Sequence, residues 1–181
     1  MKLKKSSVVS NAGPLIHLSK IGLLHLLKKL YAEVVIPAKV KFEVVDQGKK
    51  KGFPDVLLIE KAIEEGWIIV KEVKTNRSLL NSAKTLGLEE AEIEVIQYAY
   101  QTKATALIDD EAAREFARIL GITVRGSLGV LLEGLKRGIL TRKEAIKKLD
   151  ELSEVMYISM EVYKLVRRKL EENKISSAKF S

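Results

Sequence analysis

Five side chains with oxygen donors stand where an α/β protein would pass from strand to helix, or lie along a helix that reaches that edge. Asn11 follows the β-rich Ser7-Val8-Val9-Ser10, and Asp109 and Asp110 follow Ala106-Leu107-Ile108 in the same way. Glu92 shares a helical stripe with Ile96 and Ala99, and Glu43 is flanked by Val40 and Val44. Glu92 is therefore expected to lean over an inner surface, with Glu94 nearly opposite it on the same helix. A carboxylate on an apolar-sided face costs free energy unless it is paired or bound to a metal. The chain has no cysteine and only His17 and His25 as imidazoles, so a converging set of this kind suits a hard cation, Mg²⁺ or Mn²⁺. The simplest chemistry for that set is phosphodiester hydrolysis, with the metal polarising the phosphate and activating a water. Plainer roles stand beside this one. Aspartate is a favoured helix N-cap, which explains one of the two neighbouring aspartates, and Arg114 lies one turn on as a partner for Asp110. The glutamates from Glu89 onward also make a solvated acidic first turn that suits the helix dipole.

The rest of the composition bounds these ideas. In 181 residues, 46% are hydrophobic and 31% charged, enough for a buried core and too apolar for wholesale disorder. The missing cysteines exclude disulfides, thiolate zinc sites and cysteine nucleophiles. Lysine and arginine number 32 against 24 acids, and the net charge of +8 would attract a polyanion. The same abundance of lysine and glutamate suits the surface ion networks of a heat-adapted protein. No apolar run reaches membrane-spanning length, and the basic start is followed only by Val8-Val9. A soluble cytoplasmic protein is expected.

The elements that must position the acids are legible from pattern. Pro14 predicts a helix start that runs through Leu18, Gly22 interrupts it, and residues 23–30 resume it. Residues 33–36 read as a strand, Pro37 as the start of a helix carrying Glu43, and residues 47–52 as a basic loop. A helix over 55–65 and a strand over 67–70 follow, then an ambiguous stretch over 75–86. Residues 89–100 read as helix, 106–108 as strand, 110–120 as helix, 122–124 as strand and 127–136 as helix. This alternation calls for a three-layer α/β/α sandwich around a mostly parallel sheet, whose ligands bind beyond the carboxyl ends of the strands. Thr141 with Glu144 fits a capping box and Ser159 a further cap, so C-terminal helices complete the chain. We divide it into an α/β domain over 1–140 and a helical extension over 141–181, packed on that domain or at a dimer interface.

Val8 to Ile16 with Asn11-Ala12-Gly13-Pro14, the helix beginning Ala91-Glu92, Leu107-Ile108-Asp109-Asp110 with Ala113-Arg114, and Gly121 to Leu131 occur in this order. Together they resemble the PIN-domain superfamily, in a PIN-like branch of uncharacterised prokaryotic proteins. The resemblance implies an acidic pocket that binds a divalent metal and cleaves RNA, with toxin-like relatives held by antitoxin proteins and homodimers common. By motif, Asn11 takes the first acidic position, Glu43 the acid on the helix after the second strand, Glu92 that of the middle helix, and Asp110 that after the fourth strand. Asp109 is a neighbouring candidate ligand, and Ser127 could add a hydroxyl. Arg125, Lys49, Lys50 and Lys51 are candidate phosphate contacts. The chain departs from the pattern at its first motif, where Asn11 replaces an aspartate and Gly13 a hydroxyl or amide residue.

Two other readings compete with a metal-dependent ribonuclease. A catalytically silent PIN-like module that binds nucleic acid or a protein would follow from Asn11 and Gly13. A nucleotide-binding Rossmann protein would use Gly126-Ser127-Leu128-Gly129 as a phosphate loop, but lacks the glycine spacing and the downstream acid. His17 and His25 read as packing or surface residues, and the scattered aromatics indicate no base-stacking platform.

Overall fold

The computed structural model describes residues 6–172. Its contacts group the chain into two compact units, Met1–Ser127 and Leu128–Ser181. The first holds a five-stranded, wholly parallel sheet in the order β3-β2-β1-β4-β5. The central strand β1 (Ser7–Ser10) pairs with β2 (Glu33–Pro37) on one side and β4 (Thr105–Leu107) on the other. Buried neighbours explain its Val8-Val9 and the Val34-Val35-Ile36 of β2, which are apolar on both faces as an interior parallel strand must be. The edges are β3 (Ile68–Lys71) and the two-residue β5 (Val124–Arg125), in register with Ala106 and Leu107. Going from β1 to β2 and β3 the chain moves one way across the sheet, and from β4 to β5 it moves the other way. Crossovers of one hand then put their helices on opposite faces, giving the α/β/α layering expected from the sequence.

Helix α1 (Ala12–Lys20) starts two residues before Pro14, because the Asn11 side chain accepts the Ala12 N–H and caps it. Pro14 is tolerated in the first turn, where its missing N–H has no intrahelical partner to lose. Gly22, at φ +68°, makes the break before α2 (Leu24–Leu30). The expected basic loop over 47–52 is instead largely helical. Helix α3 (Ala38–Lys41) runs through a π-helical stretch (Phe42–Gln47) into α4 (Gly48–Lys50). Gly48 explains the continuation, since a Cβ there would fall 2.4 Å from Val56 Cγ2 of α5 (Val56–Glu64). The ambiguous stretch forms α6 (Arg77–Thr85), capped by Asn76. The long α7 (Glu90–Thr102) packs on β1, β2 and β4, and α8 (Glu111–Ile119) on β5.

The second unit contains α9 (Ser127–Lys136) from its second residue, α10 (Arg142–Val155) and α11 (Met160–Glu172). The Thr141–Glu144 capping box forms, and the Ser159 hydroxyl accepts the Val162 N–H at 3.3 Å. Among the described residues, no helix is long and apolar enough to cross a membrane.

Candidate active site

The direction of chain progression reverses between β1 and β4, so the crevice of this sheet opens where those two strands end. Asn11 and Asp109 leave the sheet there, where the Asn11 N–H donates to the Leu107 carbonyl at 2.9 Å. The side chain of Asn11 is divided between two tasks. Its Oδ1 accepts the Ala12 N–H at 2.7 Å, and its Nδ2 donates a long 3.5 Å bond to Glu92 Oε1. Glu92 sits in the first turn of α7, where its Oε2 accepts the Glu89 N–H at 3.0 Å in a reciprocal capping box. One carboxylate thus caps its own helix and meets the capping amide of another.

The electrostatics single out the same place. Burial pushes the Glu92 carboxyl above the ordinary glutamate range, and the Asp110 and Glu89 charges add to that push. The Glu89 N–H and the Asn11 amide pull the other way without cancelling it. Burial raises Glu43 too, followed by repulsion from Glu89, Glu92 and Glu94. Glu43, Glu92 and Asp110 therefore belong to one field of negative charge, which Glu89 shares. Asp110 also keeps its plainer role, capping α8 through an Oδ1 bond from the Ala113 N–H at 2.9 Å. Arg114 lies nearest Glu111 among the acids, at 3.9 Å, not Asp110.

Asp109 behaves differently from its neighbour. Its Oδ1 accepts the Ser127 N–H at 2.7 Å, and its Oδ2 accepts the Ser127 hydroxyl at 2.6 Å. His17 Nδ1 lies 2.7 Å from that same Oδ2. Burial alone would raise this carboxyl, but the bonds from His17 and Ser127 outweigh it and hold it below the usual aspartate range. An ionised carboxylate only accepts, so His17 carries its proton on Nδ1. Asp109, His17 and the fully buried Ser127 tie the ends of β4 and β5 to α1. Sequence reasoning passed over His17 as a packing residue. No sequence feature pairs the two; in the fold, a Cβ at Gly13, one helical turn before His17, would stand 3.4 Å from Asp109 Cβ and 3.7 Å from His17 Cε1. Gly126, which the sequence offers as part of a phosphate loop, instead gives room to this cluster, since a Cβ there would lie 2.6 Å from Arg114 Nη1 and 2.7 Å from Asp109 Oδ1.

The acidic helix turn departs from its helical-wheel reading at Glu94. That side chain is 7% exposed, more buried than Glu92, because Lys39 of α3 reaches over α7 and pairs with it at 3.1 Å. Of the basic candidates, Lys49 pairs with Glu60 of α5, Lys50 is exposed, and Lys51 lines a cavity with Glu43 and Glu89. Arg125 ends β5, and its carbonyl accepts the Ile108 N–H at 2.8 Å.

A family model described as PIN domain matches residues 7–172. This chain belongs to the PIN-domain family. Over 111 residues it is 35% identical to the endoribonuclease Nob1 of Pyrococcus abyssi (strain GE5 / Orsay), a match covering 58% of this chain and 61% of that protein. The chain thus spans about three-fifths of the length of the curated relative. Among solved structures it is similar to a PilT N-terminus domain protein from the hyperthermophilic archaeon Sulfolobus solfataricus P2. That likeness has a TM-score of 0.48 and 21% identity, over 72% of this chain and 94% of the other.

The donor chemistry of this PIN domain fits a hard cation. Glu43, Glu92 and Asp110 offer oxygens only, and burial first, then neighbouring carboxylates, raises Glu43 and Glu92, so a divalent ion would offset negative charge already disfavoured there. Among the described residues no three acids or histidines stand close enough to cage one ion. That suits Mg²⁺, which keeps several waters and is usually held by one or two carboxylates.

Proposed function

We propose that this PIN domain is a divalent-metal-dependent ribonuclease that hydrolyses RNA phosphodiester bonds. Glu92 and Asp110 would hold Mg²⁺ or Mn²⁺, with Glu43 adding negative charge beside them and Asn11 as a neutral ligand or water positioner. The observation that carries this reading is Glu92 itself. It lies at the switch point of the sheet, half-buried, oriented by the Glu89 N–H and Asn11, and pushed up by burial and the nearby Asp110. The cation supplies Lewis-acid activation of a water and neutralises charge developing on the phosphate. The residues do the rest. The capping box of α7 fixes Glu92 and the N-cap bond from the Ala113 N–H fixes Asp110 on rigid helix ends, so neither must be ordered when substrate arrives. Asp109 keeps its charge engaged with His17 and Ser127 and acts as scaffold beside the reacting groups. The net charge of +8 attracts the RNA backbone, and Lys51 meets it at the rim of the Glu43 cavity. Similarity to an endoribonuclease over 111 residues supports the same chemistry.

The test incubates the purified chain with an RNA panel and Mg²⁺ or Mn²⁺, beside Glu92→Gln and Asp110→Asn. Cleavage by the parent and its loss in both variants is the expected result. Equal cleavage by all three places the activity elsewhere or in a contaminant. Asn11 favours one second reading, a silent module that binds RNA or protein without cutting it. That reading expects little thermal stabilisation by Mg²⁺ or Mn²⁺, and a clear gain in Asn11→Asp.

A further inference from the structure

A cavity of about 310 Å³ adjoins the acid cluster, walled by α1, the π-helical stretch and the start of α5. Glu43 and Glu89 of the acid cluster line it together with Lys51, Phe53 and Asp55. Asp55 is only 8% exposed, yet its carboxylate takes no hydrogen bond or ion pair from the described residues and does not cap α5. Its oxygens open onto the cavity, where a ligand that brings paired N–H donors can take the place of water on them. Phe53 is 48% exposed at the same wall, with Lys20 Nζ 6.0 Å from its ring centroid. The chain is turned to present it by Gly52, at φ +71°, and anchored by the Phe53 N–H bond to the Gly48 carbonyl at 3.1 Å.

Three acids around one cavity repel a phosphate and favour a neutral group rich in N–H donors. An exposed aromatic face flanked by cations favours an unstacked base with its phosphate alongside. We propose that this cavity is a guanine subsite, which takes one unstacked guanine of single-stranded RNA next to the scissile bond. Guanine presents N1–H and N2–H side by side on its Watson–Crick edge, and the two oxygens of Asp55 accept both, in the paired geometry by which carboxylates take guanidinium groups. Phe53 offers the ring on which the base rests, and Lys51 and Lys20 stand at the rim for the adjoining phosphate. The RNA context rests on the ribonuclease reading; the base preference does not.

The test titrates the whole chain, without divalent metal, with GMP, IMP, AMP, CMP and UMP by calorimetry or NMR. GMP binds at least about tenfold tighter than AMP or UMP, and IMP, which lacks the N2 amine, falls between. Asp55→Asn, of equal size, brings GMP to the level of AMP, and Phe53→Ala weakens all five about tenfold. Equal affinities for the five nucleotides, no binding at millimolar concentration, or a guanine preference that survives Asp55→Asn overturns the proposal, and the parent series decides even if a variant misfolds. A second arm maps cleavage of RNA with Mg²⁺. Guanine preference among nucleotides with no RNA cleavage removes the ribonuclease reading and leaves the subsite. Cleavage indifferent to sequence, with no preference among nucleotides, does the reverse.

Discussion

Replacing Asp109 by asparagine removes one charge and almost no volume, and its surroundings determine what that does to stability. The carboxylate accepts three bonds of 2.6 to 2.7 Å, from the Ser127 N–H, the Ser127 hydroxyl and His17 Nδ1. If the asparagine oxygen keeps the Ser127 N–H, its amide faces the hydroxyl and the imidazole. Both can turn acceptor, one by rotating and the other by changing tautomer, so the contacts survive as neutral bonds. The loss is then the charge assistance, about 1–3 kcal/mol in all. Asp109→Ala has no such escape and leaves three inward-facing donors without an acceptor, for about 3–5 kcal/mol. For a chain of this size that is a fall in Tm of roughly 6–20 °C. The sign of the pH dependence follows from the depressed carboxyl. The charge-dependent part of its stabilisation is complete above the unfolded-state value and is lost as pH falls through the lower folded-state value, so the deficit of both variants shrinks below about pH 4. Thermal melts by circular dichroism at pH 7 and pH 3 measure both effects. A Tm change under about 2 °C for Asp109→Ala, or an equal deficit at both pH values, refutes the scaffold role and returns Asp109 to the candidate metal ligands.

Three further outcomes follow from the same geometry. Gly126→Ala forces a Cβ against Asp109 Oδ1 and to 3.3 Å from the Ile108 carbonyl, which cannot swing away, and costs about 1–3 kcal/mol by urea denaturation; an unchanged midpoint denies the close packing there. Because the Glu92 carboxyl is raised, its folded form holds a proton that the unfolded chain has released, so stability falls as pH rises from the ordinary glutamate value through the raised one. Glu92→Gln removes that loss while still accepting the Glu89 N–H. It melts at or above the parent temperature at pH 7 and responds less to Mg²⁺; a lower Tm contradicts the raised carboxyl. Lys39→Ala strips the cation from the buried Glu94 and costs about 1–3 kcal/mol, whereas Lys49→Ala at the exposed Glu60 pair leaves the denaturation midpoint unchanged; equal effects in denaturant melts would show that burial does not set the worth of these pairs.

The parallel sheet was legible because its strands are apolar on both faces and each is followed by a helix signal. The candidate acids were legible because position after a strand is a property of sequence once the strands are found. Contacts that join distant segments were not. Nothing near Asp109 in sequence points to His17, and nothing near Glu94 points to Lys39, so a helical wheel ranked Glu92 as more buried than Glu94. The lysine run looked like a loop because Gly48 reads as a breaker, while in the fold it is the one residue small enough to let α4 touch Val56. Scattered aromatics hid Phe53 in the same way, since what matters there is one ring beside one unpartnered acid.

The exchange of an aspartate for Asn11 acts on the whole cluster, not on one ligand. Its amide donates to Glu92, where a carboxylate would have added a fourth charge beside Glu43, Glu92 and Asp110; burial and neighbouring acids already raise Glu43 and Glu92. As a helix N-cap, asparagine serves as well as aspartate, so the local fold sets no preference between them. What differs is the balance between the metal-free and metal-bound states. With asparagine the cluster is less repulsive when no cation is bound, and a cation therefore gains less by binding. A fourth negative charge would destabilise the metal-free protein and strengthen its hold on metal, two consequences of one repulsion. On the proposed metal-dependent reading, Asn11 moves this PIN domain toward stability without metal, and the acids left at Glu43, Glu92 and Asp110 would set how tightly it can still bind.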